Sequence, residues 1–186
     1  MKSVIGLAAT TILLVACQSN IYHIKGEAKT FANGTMLYLT TDLNGDGHPV
    51  DSVIVNEGHF STRGMADTPQ LCKLYAATAP EAGILFFIGP GNTYIELSDK
   101  PGCSRVSGTK VNNEWQALCD TVAKYDRQIR QLFHPESDSI SPRKQHAETE
   151  RIYTILNRRI DEAAHRNGDN AFGQFISSHK EKKEAE

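Results

Sequence analysis

The feature that most constrains this chain is a change in the spacing of its apolar residues near Gly108. An apolar residue at every second position lines one face of a strand, whereas a repeat of 3.6 lines one face of a helix. The two halves must therefore take different secondary structure. Before Gly108, short β-rich runs at 22–27, 35–41, 50–56, 59–63, 70–76, 84–88, 94–97 and 105–107 are separated by Gly, Asn, Asp and Pro. Turns at that regular spacing predict an antiparallel β-sandwich of about seven to eight strands over 21–108. Asn56-Glu57-Gly58 reads as a tight hairpin, and Gly89-Pro90-Gly91-Asn92 as a forced turn. The uninterrupted run Phe86-Phe87-Ile88 reads as a central strand buried on both faces.

After Gly108, Trp115, Leu118, Cys119, Val122, Ile129, Leu132 and Phe133 fall mostly on one face of a helix over about 111–133, with Thr109 or Asn112 as its cap. The prolines and polar residues of 134–143 break that helix. A second amphipathic helix then carries Ile152, Ile155, Leu156, Ile160, Ala163 and Ala164, and stops at His165-Arg166-Asn167-Gly168. Ala171, Phe172, Phe175 and Ile176 open a short third helix. The expected class is mainly β with C-terminal α: a sandwich, a helical hairpin and a third helix, the helical segment spanning 109–179 and a charged tail 180–186.

The amino terminus speaks to location. A short basic start, Met1-Lys2-Ser3, precedes an apolar run from Val4 to Val15 that is too short for a membrane-spanning helix of roughly 20 residues. It reads as a secretory signal peptide over 1–16. Leu14-Val15-Ala16-Cys17 resembles the bacterial lipobox, which implies acylation of Cys17, with 17–20 as anchor and tether. Gln18-Ser19-Asn20 lacks an acidic sorting signal, so the expected address is the cell envelope, at the periplasmic face of the outer membrane. The membrane is thus one expected partner, through Cys17.

Charge excludes another class. The formal net charge is −2, and removing residues 1–16 takes away only Lys2. No sustained positive field attracts phosphate backbones, so nucleic acid is not an expected partner.

Of the remaining cysteines, Cys72 in an apolar strand and Cys119 on an apolar helix face read as small core residues, and Cys103 after the Lys100-Pro101-Gly102 turn as an exposed thiol. Three cysteines in an oxidising compartment permit one bridge and one free thiol, or no bridge. No CxxC is present, so the spacing that dithiol exchange needs is missing.

Three patterns bear on chemistry. Asp42, Asn44 and Asp46 alternate like the start of a calcium loop, but its twelfth position is Val53 and Asp51 at the tenth is a poor substitute. Asn44-Gly45 and Asp46-Gly47 are equally good turn formers, so a hairpin loop is the preferred reading. The seven His show no HxxxH pair, and read as surface residues rather than metal ligands. Ser61 lies near His59 without a GxSxG elbow. No catalytic residue, metal or cofactor is expected.

Several segments in this order carry a resemblance: Tyr22-His23-Ile24-Lys25-Gly26, Gly34-Thr35-Met36-Leu37-Tyr38-Leu39, the run from Asp51 to Phe60, Phe86-Phe87-Ile88-Gly89-Pro90-Gly91-Asn92, and Val106-Ser107-Gly108-Thr109 with Asn112. Over roughly 21–133 the chain resembles the domain of unknown function found at the amino terminus of thioredoxin-like (AhpC/TSA-type) envelope lipoproteins of Bacteroidota. The resemblance implies a β-sandwich, an envelope address and a thiol-redox neighbourhood. It implies no redox activity for this chain, which stops where those relatives begin the domain carrying CxxC. The expected function is a noncatalytic, membrane-anchored binding or accessory module for an envelope protein. The alternative is an accessory or truncated component of a thioredoxin-like thiol-disulfide oxidoreductase system, with a thioredoxin-like partner. Trp115, at the junction of the two halves, reads as core rather than as a binding anchor.

Overall fold

Two four-stranded sheets face each other across one apolar core in the computed structural model, which describes residues 20–43, 48–134 and 141–184. The strands are β1 (Ile21–Glu27), β2 (Met36–Thr40), β3 (Asp51–Ile54), β4 (His59–Met65), β5 (Gln70–Ala76), β6 (Ala79–Ile88), β7 (Gly91–Glu96) and β8 (Arg105–Ser107). Three helices follow: α1 (Lys110–Leu132), α2 (Pro142–Arg166) and α3 (Ala171–Glu184). The first sheet runs β4-β1-β7-β8 and the second β3-β2-β5-β6. All pairings are antiparallel except β1 with β7, which are parallel. The mainly β class with C-terminal helices is thus observed, with one parallel pair inside it.

The period-two pattern delivers its residues as expected. Tyr22 and Ile24, Leu37 and Leu39, Cys72, Leu74 and Ala76, Ile84 and Phe86, Ile95 and Val106 all point into the space between the sheets and are buried. Each such side chain contributes roughly 1.5–3 kcal/mol on burial, so this layer supplies most of the apolar driving force. The tight turn at Asn56-Glu57-Gly58 forms, closed by a bridge between Asn56 and His59, with Glu57 at φ +51° and Gly58 at φ +74°, but β3 and β4 run on into different sheets instead of pairing as a hairpin. Two successive positive φ values are those of a tight two-residue turn. The Glu57 amide donates to Asn33 Oδ1 at 2.8 Å, which offsets strain at a residue other than glycine.

One strand differs from expectation. β6 is buried on both faces at Phe86-Phe87-Ile88, but it is an edge strand, not a central one. Its second face is covered by helices. Phe87 points away from the sandwich and packs with Leu118, Ala163 and Phe172, with its cross-strand neighbour Leu71 beside it. Edge-on aromatic contacts join Phe87, Trp115, Phe172 and Phe175, with ring centroids 5.7–6.3 Å apart. Trp115 is half-buried and packs against both apolar clusters.

The turn from strand to helix depends on Gly108. Its φ is +113°, and a Cβ there would sit 2.2 Å from the Asn92 carbonyl oxygen. Only glycine fits. Thr109 then caps α1 by accepting from the Asn112 amide at 3.3 Å. α3 continues to Glu184 through residues expected as tail, because Lys and Glu are good helix formers.

Candidate functional site

Edge strands expose unpaired amides and carbonyls, and β6 and β8 are the edges of their sheets on the same side of the sandwich. α1 closes both. The Asn112 side chain, fully buried, accepts from the Phe87 amide at 2.7 Å and donates to the Phe87 carbonyl at 2.9 Å, as a neighbouring strand would. It also donates to Thr93 Oγ1 at 3.2 Å. Three residues on, Trp115 Nε1 donates to the Leu85 carbonyl at 2.8 Å. Gln116 Oε1 accepts from the Val106 amide of β8 at 2.8 Å. Asn112 is therefore not the helix cap. It is a strand substitute, and the signal for that role is a polar residue on the apolar helix face, one turn before Trp115.

Beside Trp115, between β6 and the helices, lies a cleft of about 720 Å³. Gly83, Leu85, Leu118, Val122, Leu156 and Ile160 give it apolar walls. The cause is local. The outward face of β6 carries Gly83, Leu85 and Phe87, and the aromatic cluster covers only Phe87. Leu85, Val122 and Tyr153 remain about 37–47% exposed at the cleft.

Its rim is polar. Arg105 of β8 forms a bidentate pair with Asp120 of α1 at 3.0 and 2.7 Å, and Gln116 Nε2 donates to the same carboxylate at 3.0 Å. The hydrogen bonds from Arg105 hold the Asp120 carboxyl below its ordinary range. Cys119 lines the cleft, and burial first, then the Asp120 charge, pushes its thiol up to about 11. A protonated thiol is a poor nucleophile, and Asp120 is tied to Arg105 and Gln116. The arrangement suits holding apolar groups beside an oriented polar rim, a common form of binding cleft.

The sequence candidates fall elsewhere. Cys17 lies outside the described residues, as do Asn44 and Asp46. Asp42 is half-buried in the β2–β3 connection, where its amide donates to Thr40 Oγ1 at 3.1 Å. Asp51, the substitute closing ligand, instead accepts from Thr62 Oγ1 at 2.5 Å and from the Ser52 amide at 2.7 Å. Among the described residues no group of three His, Cys, Asp or Glu is placed to hold a metal. Cys72, Cys103 and Cys119 are all free thiols. Cys103 is exposed; Cys72 is buried, its thiol donating to the Thr40 carbonyl at 3.1 Å and pushed up to about 12 by desolvation. No described helix is long and apolar enough to cross a membrane.

With that geometry in place, residues 22–115 match a family described as a domain of unknown function, DUF4369. The match covers half of the chain. The chain belongs to this family. The matched span ends at Trp115, so it includes the sandwich and the part of α1 that seals its edges. Among solved structures, a DUF3823 family protein from Parabacteroides merdae ATCC 43184 is 17% identical, with a TM-score of 0.31. That match covers 45% of this chain and 47% of the other, so the chain spans about half the length of that protein. No curated protein matches.

Proposed function

We propose that this DUF4369 protein is an envelope lipoprotein, anchored through acylated Cys17 at the periplasmic face of the outer membrane, that binds apolar side chains of a partner protein in the cleft beside β6. The observation that carries the binding role is the cleft itself: Leu85 and Val122 stay exposed inside a concave apolar wall. Concave apolar surface left open on a folded domain marks an interaction site more often than scattered surface apolar residues do. The lipobox Leu14-Val15-Ala16-Cys17 supports the address.

The resemblance to thioredoxin-like lipoproteins supports a second reading, in which the partner is a thioredoxin-like oxidoreductase and this chain is its accessory. Burial holds Cys72 and Cys119 protonated, which leaves dithiol chemistry to that partner.

Anilinonaphthalene sulfonate tests the cleft. Its emission is expected to rise with the wild-type protein and to stay low with Val122→Glu, while circular dichroism shows both folded. Equal emission from the two overturns the cleft as binding site. Cys17→Ser is expected to move the protein from the membrane to the soluble fraction; retention at the membrane overturns the anchor. An insulin-reduction assay with an added thioredoxin-like enzyme separates the two readings, since stimulation by this chain favours the accessory role.

A further inference from the structure

We infer that the end of the sandwich where β1 begins rests in the headgroup layer of the bilayer, with Ile21, Leu43, Val50 and Met65 as the side chains that enter it. The inference rests on the proposed acylation of Cys17. The strand register gathers one set of termini at this end: the starts of β1, β3, β5 and β7 and the ends of β2, β4 and β6. Ile21 and Met65 are cross-strand partners there, 40% and 78% exposed. Leu43 and Val50, in the β2–β3 connection, are 44% and 57% exposed.

The tether selects this end. Asn20 is fixed to the sandwich, its carbonyl accepting from the Ala66 amide at 2.8 Å and its side chain donating to Asp67 Oδ1 at 2.7 Å. Only Gln18 and Ser19 stand between Asn20 and Cys17. Three residue steps reach at most about 11 Å. The headgroup layer is itself about 5–8 Å thick on each side of the hydrocarbon. Acyl chains attached at Cys17 therefore bring Asn20 to the headgroups or just above them. The other exposed apolar strand pair, Met36 with Ile54, lies at the opposite end of β2 and β3. α1 runs from Asn112 beside Phe87 to Asp120 beside Arg105, which carries its far end and exposed Phe133 away from the bilayer.

The test uses the full-length lipidated protein in vesicles of phosphatidylethanolamine and phosphatidylglycerol carrying brominated acyl chains, which quench nearby tryptophan. Trp115, the single native tryptophan, supplies the background. Met65→Trp is expected to lose roughly half of its added emission, since interfacial side chains sit about 5–10 Å deep. Phe133→Trp is expected to lose none. If the protein floats with the vesicles and neither position is quenched, or both are, the inference is overturned and the anchor stands. If mass spectrometry finds Cys17 unmodified and the protein does not float, the anchor reading falls and takes the inference with it.

Discussion

The two lateral sides of the sandwich are closed by different means. On one side β3 and β4 are successive strands of different sheets joined by the tight turn at Asn56-Glu57-Gly58, and a side-chain bond from Thr62 to Asp51 links the sheets. On the other side β6 and β8 are bridged by a helix, and Asn112, Trp115 and Gln116 supply the polar partners that a strand would supply. The tight turn closes an edge with contacts near in sequence. A helix closes it with contacts up to 30 residues apart, and the cleft opens along the part of the outward face of β6 that the aromatic cluster around Phe87 leaves uncovered.

If the shared core holds both closures in place, the largest loss comes from the core itself. Phe86→Ala, at a fully buried position between the sheets, should cost about 3–5 kcal/mol. Denaturant unfolding followed by circular dichroism and by Trp115 emission should show one shifted transition. Separate transitions for the two signals would mean that sandwich and helices are held independently. Asn112→Leu tests the helical closure directly. It keeps the side-chain volume but leaves the Phe87 amide and carbonyl unpaired in a buried site, each worth about 1–3 kcal/mol, for an expected loss of about 2–6 kcal/mol. Hydrogen exchange should then accelerate in β6 and α1 and stay slow in β1 and β4. A loss below about half a kcal/mol, within the range of ordinary surface substitutions, would show that the edge does not need its strand substitute.

The same contrast explains how much of the molecule can be read from residues alone. The inward positions of the strands follow from alternation, because the pleat fixes which face each side chain takes. Two-sided burial at Phe86-Phe87-Ile88 was legible too, but its cause was not. A run of apolar residues does not tell whether the second face is covered by more sheet or by a helix packed on an edge. Asn112 stands beside Thr109 as a candidate cap because both residue types are favoured there; Thr109 takes that role, and the Asn112 side chain bonds Phe87, 25 residues away. The cleft left no linear motif at all, since Leu85, Val122 and Ile160 come together only through the packing of β6, α1 and α2.

Thiol reactivity should grade the two regions at a finer scale. Cys103 is exposed, Cys119 is half-buried in the cleft wall, and Cys72 is buried between the sheets. At pH 8 a disulfide-exchange reagent should label Cys103 first. Cys119 should follow more slowly, since a thiol held at about 11 is almost entirely protonated there. Cys72 should react only on unfolding. Because its folded value is raised to about 12 by burial, the stability linked to Cys72 is complete below the ordinary thiol range near 8.5 and falls as pH rises toward 12. Labelling of Cys72 as fast as Cys119 would mean that the sandwich opens as readily as the helical layer.

The smallest effect is expected at the rim, where Arg105 of β8 meets Asp120 of α1. This pair bridges the same two elements as Gln116 and Val106, but both side chains are about half exposed, 52% and 47%. Water and salt screen such a pair, so Arg105→Ala should cost no more than about 1 kcal/mol at neutral pH. The sign of its pH dependence is fixed by the direction of the shift. Arg105 lowers the folded value of Asp120, so the contribution is present above the ordinary carboxyl range near 3.9 and is lost as pH falls through the lowered value. Wild-type and Arg105→Ala melting temperatures should differ slightly at pH 7 and converge in acid, and the difference at pH 7 should shrink in 1 M salt, where the screening length is about 3 Å. A difference of several kcal/mol, or one that grows in acid, would place the closure of this edge in the exposed ion pair rather than in buried Asn112.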